Sequence, residues 1–304
     1  MEAAAQVQTG GAAVPPDQTP SAAVVIPHYN DTVRLRRCLD ALMAGGLAGV
    51  EVVVVDNGST EPLGTLVADY PAVRFVIEPE KGAAPARNRG VAETVAPLLL
   101  FIDSDCVPAP DWVARARAVS GRADVIGGRV DVFDETPPPR SGAEAFETVF
   151  AFNFRDYIER QGFTGAGNMV TRREVFLDVG GFRNGLSEDR EWSLRATAKG
   201  HSLAYADDLR VSHPTRPDWP ALRRKWLRLT QETWGLYPRT RGARIRWALR
   251  AGVVAASGLA HQPKLWRSPR LSGPGERWRG AVVLMRIRLL RAGWMLRQAV
   301  GWPV

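Results

Sequence analysis

An apolar run that ends on two carboxylates is the first chemistry this sequence offers. Residues 98–105 read LLLFIDSD. In an extended segment the side chains at i and i+2 point to the same side, so Asp103 and Asp105 can bring two carboxylates to one cation at a strand's end. Paired hard oxygen ligands suit Mg²⁺ or Mn²⁺, which in turn would hold a diphosphate. Taken alone, the pattern also describes an ordinary loop with two solvated aspartates. Its company narrows that reading: Asp56 closes VVVVDNGS, and KGAAPARNRG opens a helix that carries Arg87 and Asn88. Further on, SEDRE sets Glu188, Asp189 and Glu191 at a helix start. Carboxylates there complement the positive end of the helix dipole.

These groups need a scaffold that gathers strand ends. Apolar runs at 22–26, 50–55, 73–77 and 97–102 alternate with helical spacing at 34–46, 63–70 and 84–95. Continuous apolar strands of about five residues, separated by helices, predict a parallel sheet covered on both faces. Ligands of such sheets collect beyond the carboxyl ends of the strands. The residues expected there are polar: His28, Tyr29 and Asn30, then Asp56, Glu78, Asp103 and Asp105. After residue 132 the pattern changes to a helical stretch at 141–160, a Gly-rich segment GFTGAGNMV, and two helices over 172–179 and 188–199.

The 304 residues are 45% hydrophobic, with 29 Gly in no period and two Cys, which excludes a wholly disordered, collagen-like or disulfide-stapled chain. The cysteines form no CxxC pair and predict a reduced, intracellular protein. Residues 1–20 are small, polar and Pro-rich, and predict a loose tail that is neither signal peptide nor membrane span. Charge is uneven. Residues 214–304 carry 19 Lys or Arg against 3 Asp or Glu, net +16, and eight of the ten Trp, whereas residues 1–213 are net −8. Helices are expected there around 221–234, 243–259 and 276–300, none with the roughly 20 uncharged apolar residues that a membrane span requires. Three readings of this basic region stay open. It docks on anionic lipid, it holds an acidic glycan or a lipid phosphate, or it is a solvated helical pair packed by its Trp faces.

The ordered set VVIPHYN, VVVVDNGS, KGAAPARNRG, FIDSDCVPAPDW, GAGNMVTRREVF, GGF and SEDREWSLRATAKG resembles the family 2 glycosyltransferases, inverting enzymes of the GT-A fold, over about residues 21–213. The resemblance implies a nucleotide-sugar donor (UDP-, GDP- or dTDP-linked), a divalent metal, Mg²⁺ or Mn²⁺, and a sugar or lipid-linked acceptor hydroxyl. By the same resemblance, Pro27, Tyr29 and Asn30 match the first-strand donor loop, and Asp56 matches the acid that contacts the nucleoside base. Arg87 and Asn88 match the segment beside ribose and diphosphate. Asp103 matches the residue that meets ribose or the metal's water, Asp105 the direct metal ligand, and His213 a histidine that completes the metal site in some members. Gly165, Gly167 and Asn168 match a stretch that lets backbone approach the donor sugar or acceptor. Asp189 matches the catalytic base and Glu188 its neighbour; Glu188 or Glu191 could serve instead. The sequence departs from the family at His28, where Thr or Ser is usual. RRKW at 223–226 lacks the Gln of the QxxRW signature, which disfavours a polymerising synthase.

The expected fold is α/β: a GT-A type nucleotide-binding domain with a mostly parallel central sheet over residues 21–215, preceded by the tail 1–20 and followed by a basic, Trp-rich α-helical region at 216–304. The expected activity is single-sugar transfer in cell-envelope polysaccharide or glycolipid synthesis, at the inner face of the cell membrane and with no nucleic acid partner. The competing classes are a sugar-phosphate nucleotidyltransferase and a nucleic-acid or lipid-binding protein acting through its basic region.

Overall fold

The computed structural model describes residues 20–304, so the expected tail lies, but for Pro20, outside the described residues. Helices and strands alternate first: β1 (Ala22–His28), α1 (Thr32–Ala44), β2 (Val50–Asp56), α2 (Leu66–Asp69), β3 (Val73–Ile77), α3 (Ala83–Ala92), β4 (Leu98–Ile102), β5 (Val107–Pro108), α4 (Trp112–Val119) and β6 (Val125–Phe133). There follow α5 (Gly142–Phe150), α6 (Phe154–Gln161), β7 (Asn168–Arg172), α7 (Arg173–Val179), α8 (Glu188–Ala198) and β8 (Leu203–Pro214). The chain closes with α9 (Trp219–Gly235), α10 (Arg241–Ala260), α11 (Gln262–Trp266) and α12 (Gly273–Val300).

Eight strands form one sheet in the order β3-β2-β1-β4-β7-β6-β8-β5. The first four are parallel, with His28 paired to Asp56, so the polar residues that end β1 and β2 emerge side by side. From β4 onward the pairing turns antiparallel, β4 to β7 and β7 to β6, and β5 pairs antiparallel with β8. The sequence did not mark β6 and β7 as strands because Gly127 and Gly128 weaken the apolar signal of one and the Gly-rich segment runs directly into the other. Alternation along each strand sorts the core into two layers. Val24, Ile26, Val52, Val54, Leu98 and Leu100 pack beneath α1 and α4, while Ala23, Val25, Val53, Val55, Leu99 and Phe101 pack beneath α3, α7 and α8.

The described residues divide into two compact units: one holds those up to residue 131 with 154–184 and 188–213, the other residues 132–153, 185–187 and 214–304. The expected helix over 141–160 is broken at 151–153 into α5, which belongs to the second unit, and α6, which belongs to the first. Ser141 starts α5 with a capping box to Glu144. In the second unit Ala145, Phe146, Leu222, Leu265, Leu284 and Ile287 make one core, and Trp247, Ala251 and Met295 another. Buried Glu147 accepts from Lys225 Nζ at 2.5 Å and from the Arg216 backbone N–H at 2.7 Å. Burial alone would raise its pKa, but those two cations hold it below the usual value. The tryptophans of this unit serve its interior first: Trp247 and Trp294 are buried, Trp219, Trp226 and Trp234 pack against the cores, and only Trp266, Trp278 and Trp302 are exposed. Among the described residues no helix is long and apolar enough to cross a membrane.

Candidate active site

Asp103 and Asp105 converge by a turn rather than by strand pleat. β4 ends at Ile102, and the Cys106 N–H donates to Asp103 O at 3.0 Å, closing residues 103–106 into a bend. Ligand atoms of Asp103, Asp105 and Cys106 lie within 4.8 Å of one another. The Cys106 thiol is a poor member of that set, because burial and the neighbouring carboxylates push its pKa well above the ordinary range and keep it protonated. His213, at the end of β8, brings Nε2 to 3.2 Å from Asp105 Oδ2. Two carboxylates and an imidazole fit a hard or borderline divalent cation.

Arg87 organises the opposite side of this bend. It sits on α3, only 4% exposed, and its two terminal nitrogens donate to Asp103 Oδ1 at 2.6 Å and Glu188 Oε1 at 2.8 Å. Burial lowers the affinity of such a group for its proton, but the two carboxylates more than offset this and hold the guanidinium charged. One fork therefore ties the DxD turn to the start of α8. Beneath it Phe101, Phe176, Phe182 and Trp192 form an aromatic cluster, with Phe182 also 5.9 Å from the Arg87 guanidinium.

The two glycines of GAG are required by close approach. A Cβ on Gly167 would stand 2.7 Å from Asp103 Oδ2; one on Gly165 would meet the Phe154 ring at 2.6 Å and lie 3.4 Å from Asp189 Oδ2. This one segment thus lies against both Asp103 and Asp189. Gly167→Ala is expected to push the Asp103 carboxylate aside and lower kcat/KM by about 10²-fold, as a misplacement of about 1 Å does. Steady-state kinetics with circular dichroism as the folding control checks this.

Asp189 is half-buried by surface area, yet its carboxylate is densely surrounded by protein. Desolvation, then the neighbouring Glu188 charge, push its pKa up to about 6, against the opposing pull of Arg87. The other acids of SEDRE are committed elsewhere. Glu188 is paired with Arg87, and Glu191 accepts a two-pronged contact from Arg195 at 3.0 and 2.9 Å and a third from Arg183 at 3.0 Å.

The three asparagines spend their side-chain amides on neighbouring parts of the chain. Asn88 spends its amide on the backbone of Phe182, donating to its O at 2.9 Å and accepting from its N–H at 2.8 Å. Asn168 is wholly buried; it accepts from Trp112 Nε1 and donates to the carbonyls of Arg129 and Leu209, all at 2.9 Å. Asn30, at φ +47°, accepts at its side chain from the N–H groups of Thr60 and Glu61, and its own backbone N–H donates to Ser59 Oγ at 2.9 Å. All three side chains hold backbone in place. Ser59, which the sequence reading did not single out, also donates to Asp56, a buried acid at the end of β2. The Asn57 side chain does similar work, binding the carbonyls of Glu78 and Glu80 and the Gly82 N–H ahead of α3. DNGS could have announced both residues, since Asn and Ser after a strand commonly turn back on backbone. Pro27 is partly buried and Tyr29 is 51% exposed beside that rim. His28 is buried, with no hydrogen-bond partner at either ring nitrogen among the described residues; desolvation lowers its pKa despite the nearby Asp56 and keeps it neutral.

Residues 23–180 match the family described as Glycosyl transferase family 2, just over half of the chain. Over 218 residues the chain is 31% identical to Glycosyltransferase AglE of Haloferax volcanii, covering 68% of this chain and 71% of that one. Over 212 residues it is 27% identical to the Pre-mycofactocin glycosyltransferase of Mycobacterium tuberculosis, covering 65% of this chain but 44% of that one. Among solved structures, S. aureus TarS 1-349 in complex with UDP-GlcNAc superposes with a TM-score of 0.52 at 18% identity, covering 91% of this chain and 74% of that one, a likeness of fold. A half-parallel sheet with acids gathered at its strand ends, a family match over just more than half of the chain and a relative of 31% identity agree: this chain belongs to the family 2 glycosyltransferases.

Proposed function

We propose that the chain moves one sugar from a nucleoside-diphosphate donor to an acceptor hydroxyl, with inversion at the anomeric carbon. The observation that carries the reading is the Arg87 fork, which unites the DxD turn with the SEDRE helix. Asp189 acts as general base: it takes the acceptor's hydroxyl proton as that oxygen attacks the anomeric carbon from the face opposite the diphosphate, whose bond to the sugar breaks. A carboxylate lifted to about 6 accepts a proton better than an ordinary aspartate and is still ionised at neutral pH. Arg87 offers positive charge close to where the leaving diphosphate gains negative charge. Asp105 and His213, with Asp103 beside them, would hold Mg²⁺ or Mn²⁺, which when bound neutralises charge on the diphosphate. Asp56 receives the nucleoside base, where a carboxylate can accept an imide or amino N–H, and Pro27, Tyr29, Asn30, Asn88, Gly167 and Asn168 shape or brace the donor's bed. The solved likeness with UDP-GlcNAc bound is compatible with a uridine donor. The acceptor is a sugar or lipid-linked hydroxyl of envelope polysaccharide or glycolipid synthesis, reached from the cytoplasmic side; the strongly basic second unit supports an acceptor held near anionic lipid.

A thermal-shift screen of UDP-, GDP- and dTDP-sugars with Mn²⁺ tests the donor reading. Ligand at about 100 times its dissociation constant should stabilise the fold by about 2.7 kcal/mol. Asp105→Asn should abolish the metal-dependent part of the shift. No nucleotide diphosphate shifting the midpoint, or an unchanged metal-dependent shift in Asp105→Asn, defeats the assignment.

A further inference from the structure

Within the second unit, α12 carries a row of apolar residues that stay exposed among the described residues. Trp278, Val282, Leu289, Leu296 and Val300 are 49–64% exposed, and half-buried Met285 and exposed Gly293 fill the gaps. The spacings of four, three, four, four, three and four keep one face of an α-helix. At 1.5 Å per residue the row runs about 33 Å. The side of α12 that faces α10 adjoins the row: Ala292, Met295 and Ala299 pack there, and Met285 lies at the border, its Sδ 3.0 Å from where a Cβ on Gly258 would stand. Along one edge of the row lie Arg279, Arg286 and Arg297, each one position past a row residue; all three are exposed, although Arg279 Nε donates to the Arg140 carbonyl at 3.0 Å and the Arg286 guanidinium lies 3.9 Å from the Trp219 ring. Exposed indoles stand at both ends, Trp278 and, just past the helix, Trp302.

We propose that this face of α12 lies in the interface of an anionic bilayer, with the apolar row among the acyl chains and the arginine edge among the headgroup phosphates. An apolar stripe bordered by cations and closed by indoles matches the graded polarity of a bilayer surface, and binding there scales with buried apolar area plus attraction to anionic lipid. A second copy of the chain fits less well, because pairing two such faces brings together arginine edges in a region of net +16. The docking does not depend on the transfer chemistry, and donor-induced thermal shift reports on that chemistry separately. The test is flotation of the full chain with phosphatidylcholine vesicles, with and without phosphatidylglycerol. The chain should float with the anionic vesicles and lose most of that binding in high salt or with neutral vesicles. Leu289→Glu with Leu296→Glu should lower the partition coefficient by about tenfold or more, at unchanged thermal midpoint because both positions are exposed. Arg286→Gln with Arg297→Gln should lower it by severalfold and flatten its salt dependence. Leu249→Glu is the control, on α10, where Ile245, Leu249 and Val253 are 53–69% exposed. Equal flotation with neutral and anionic vesicles, loss in Leu249→Glu but not in the α12 pair, or a wild-type dimer that the α12 pair dissolves would each overturn the proposal.

Discussion

Asp189→Asn should lower kcat by about 10²–10⁴-fold while leaving the donor-induced thermal shift intact, because the amide keeps the shape of the site and loses only the ability to take a proton. Wild-type kcat should rise with pH through a midpoint near 6, where Asp189 ionises, and reach a plateau above it. Stability should move the other way. The folded-state pKa lies above the ordinary aspartate value, so the folded chain holds this proton more tightly than the unfolded chain does. The resulting stabilisation is full below the unfolded pKa and is lost as pH rises from that value through about 6. At pH 7 to 8 the Asn variant should therefore be more stable than wild type, by on the order of 1 kcal/mol, with the gap closing below pH 4. Kinetics and urea melts at both pH values check the pair of signs. Normal turnover in Asp189→Asn would move the base role to another carboxylate.

Arg87→Ala has the second large effect, and on two properties at once. Removing the fork leaves Asp103 and Glu188 facing each other across the site without their shared cation. Both carboxylates keep some exposure, 36% and 21%, so the destabilisation should fall below that of a fully buried pair, at about 2–3 kcal/mol. Transfer should fall by about 10²–10³-fold, the usual cost of losing one preorganised donor. Arg87→Lys separates the causes. An ammonium restores charge but has no planar fork that reaches two acceptors at once, so stability should recover more than activity. If lysine restored both, the charge alone would matter and the bridging geometry would not. Chemical denaturation and steady-state rates, measured on the same preparations, distinguish these outcomes.

Much of the site was legible because its residues sit where local chain geometry puts them. Apolar runs of about five residues announce β1 to β4, and a polar residue that ends such a run reaches the rim whatever the rest of the fold does. Asp56, Asp103 and Asp105 stand out in this way, whereas SEDRE at the start of α8 ends no such run and stands out only by the resemblance to the family. Charge and Trp counts also separated a basic helical region from the sheet, although the compact second unit recruits residues 132–153 and 185–187 from inside the first stretch of sequence. The tail's tryptophans illustrate the limit of composition: an indole has the same residue type at an interface and in a core, and five of the eight pack inward here.

The order of chemical groups along the chain, the alternation of strand and helix and the acids at strand ends were determined by the sequence itself, since they rest on spacings of two to four residues. Only the tertiary structure decided what those groups do to one another. Arg87 is 16 residues from Asp103 and 101 from Glu188, and no local rule pairs them. Asn30, Asn88 and Asn168 belong to the expected motifs, but which partners saturate an amide depends on backbone brought from distant segments. The proton affinity of Asp189 is of the same kind: a carboxylate's pKa is set by the water it has lost and the charges around it, and both are properties of the packed site.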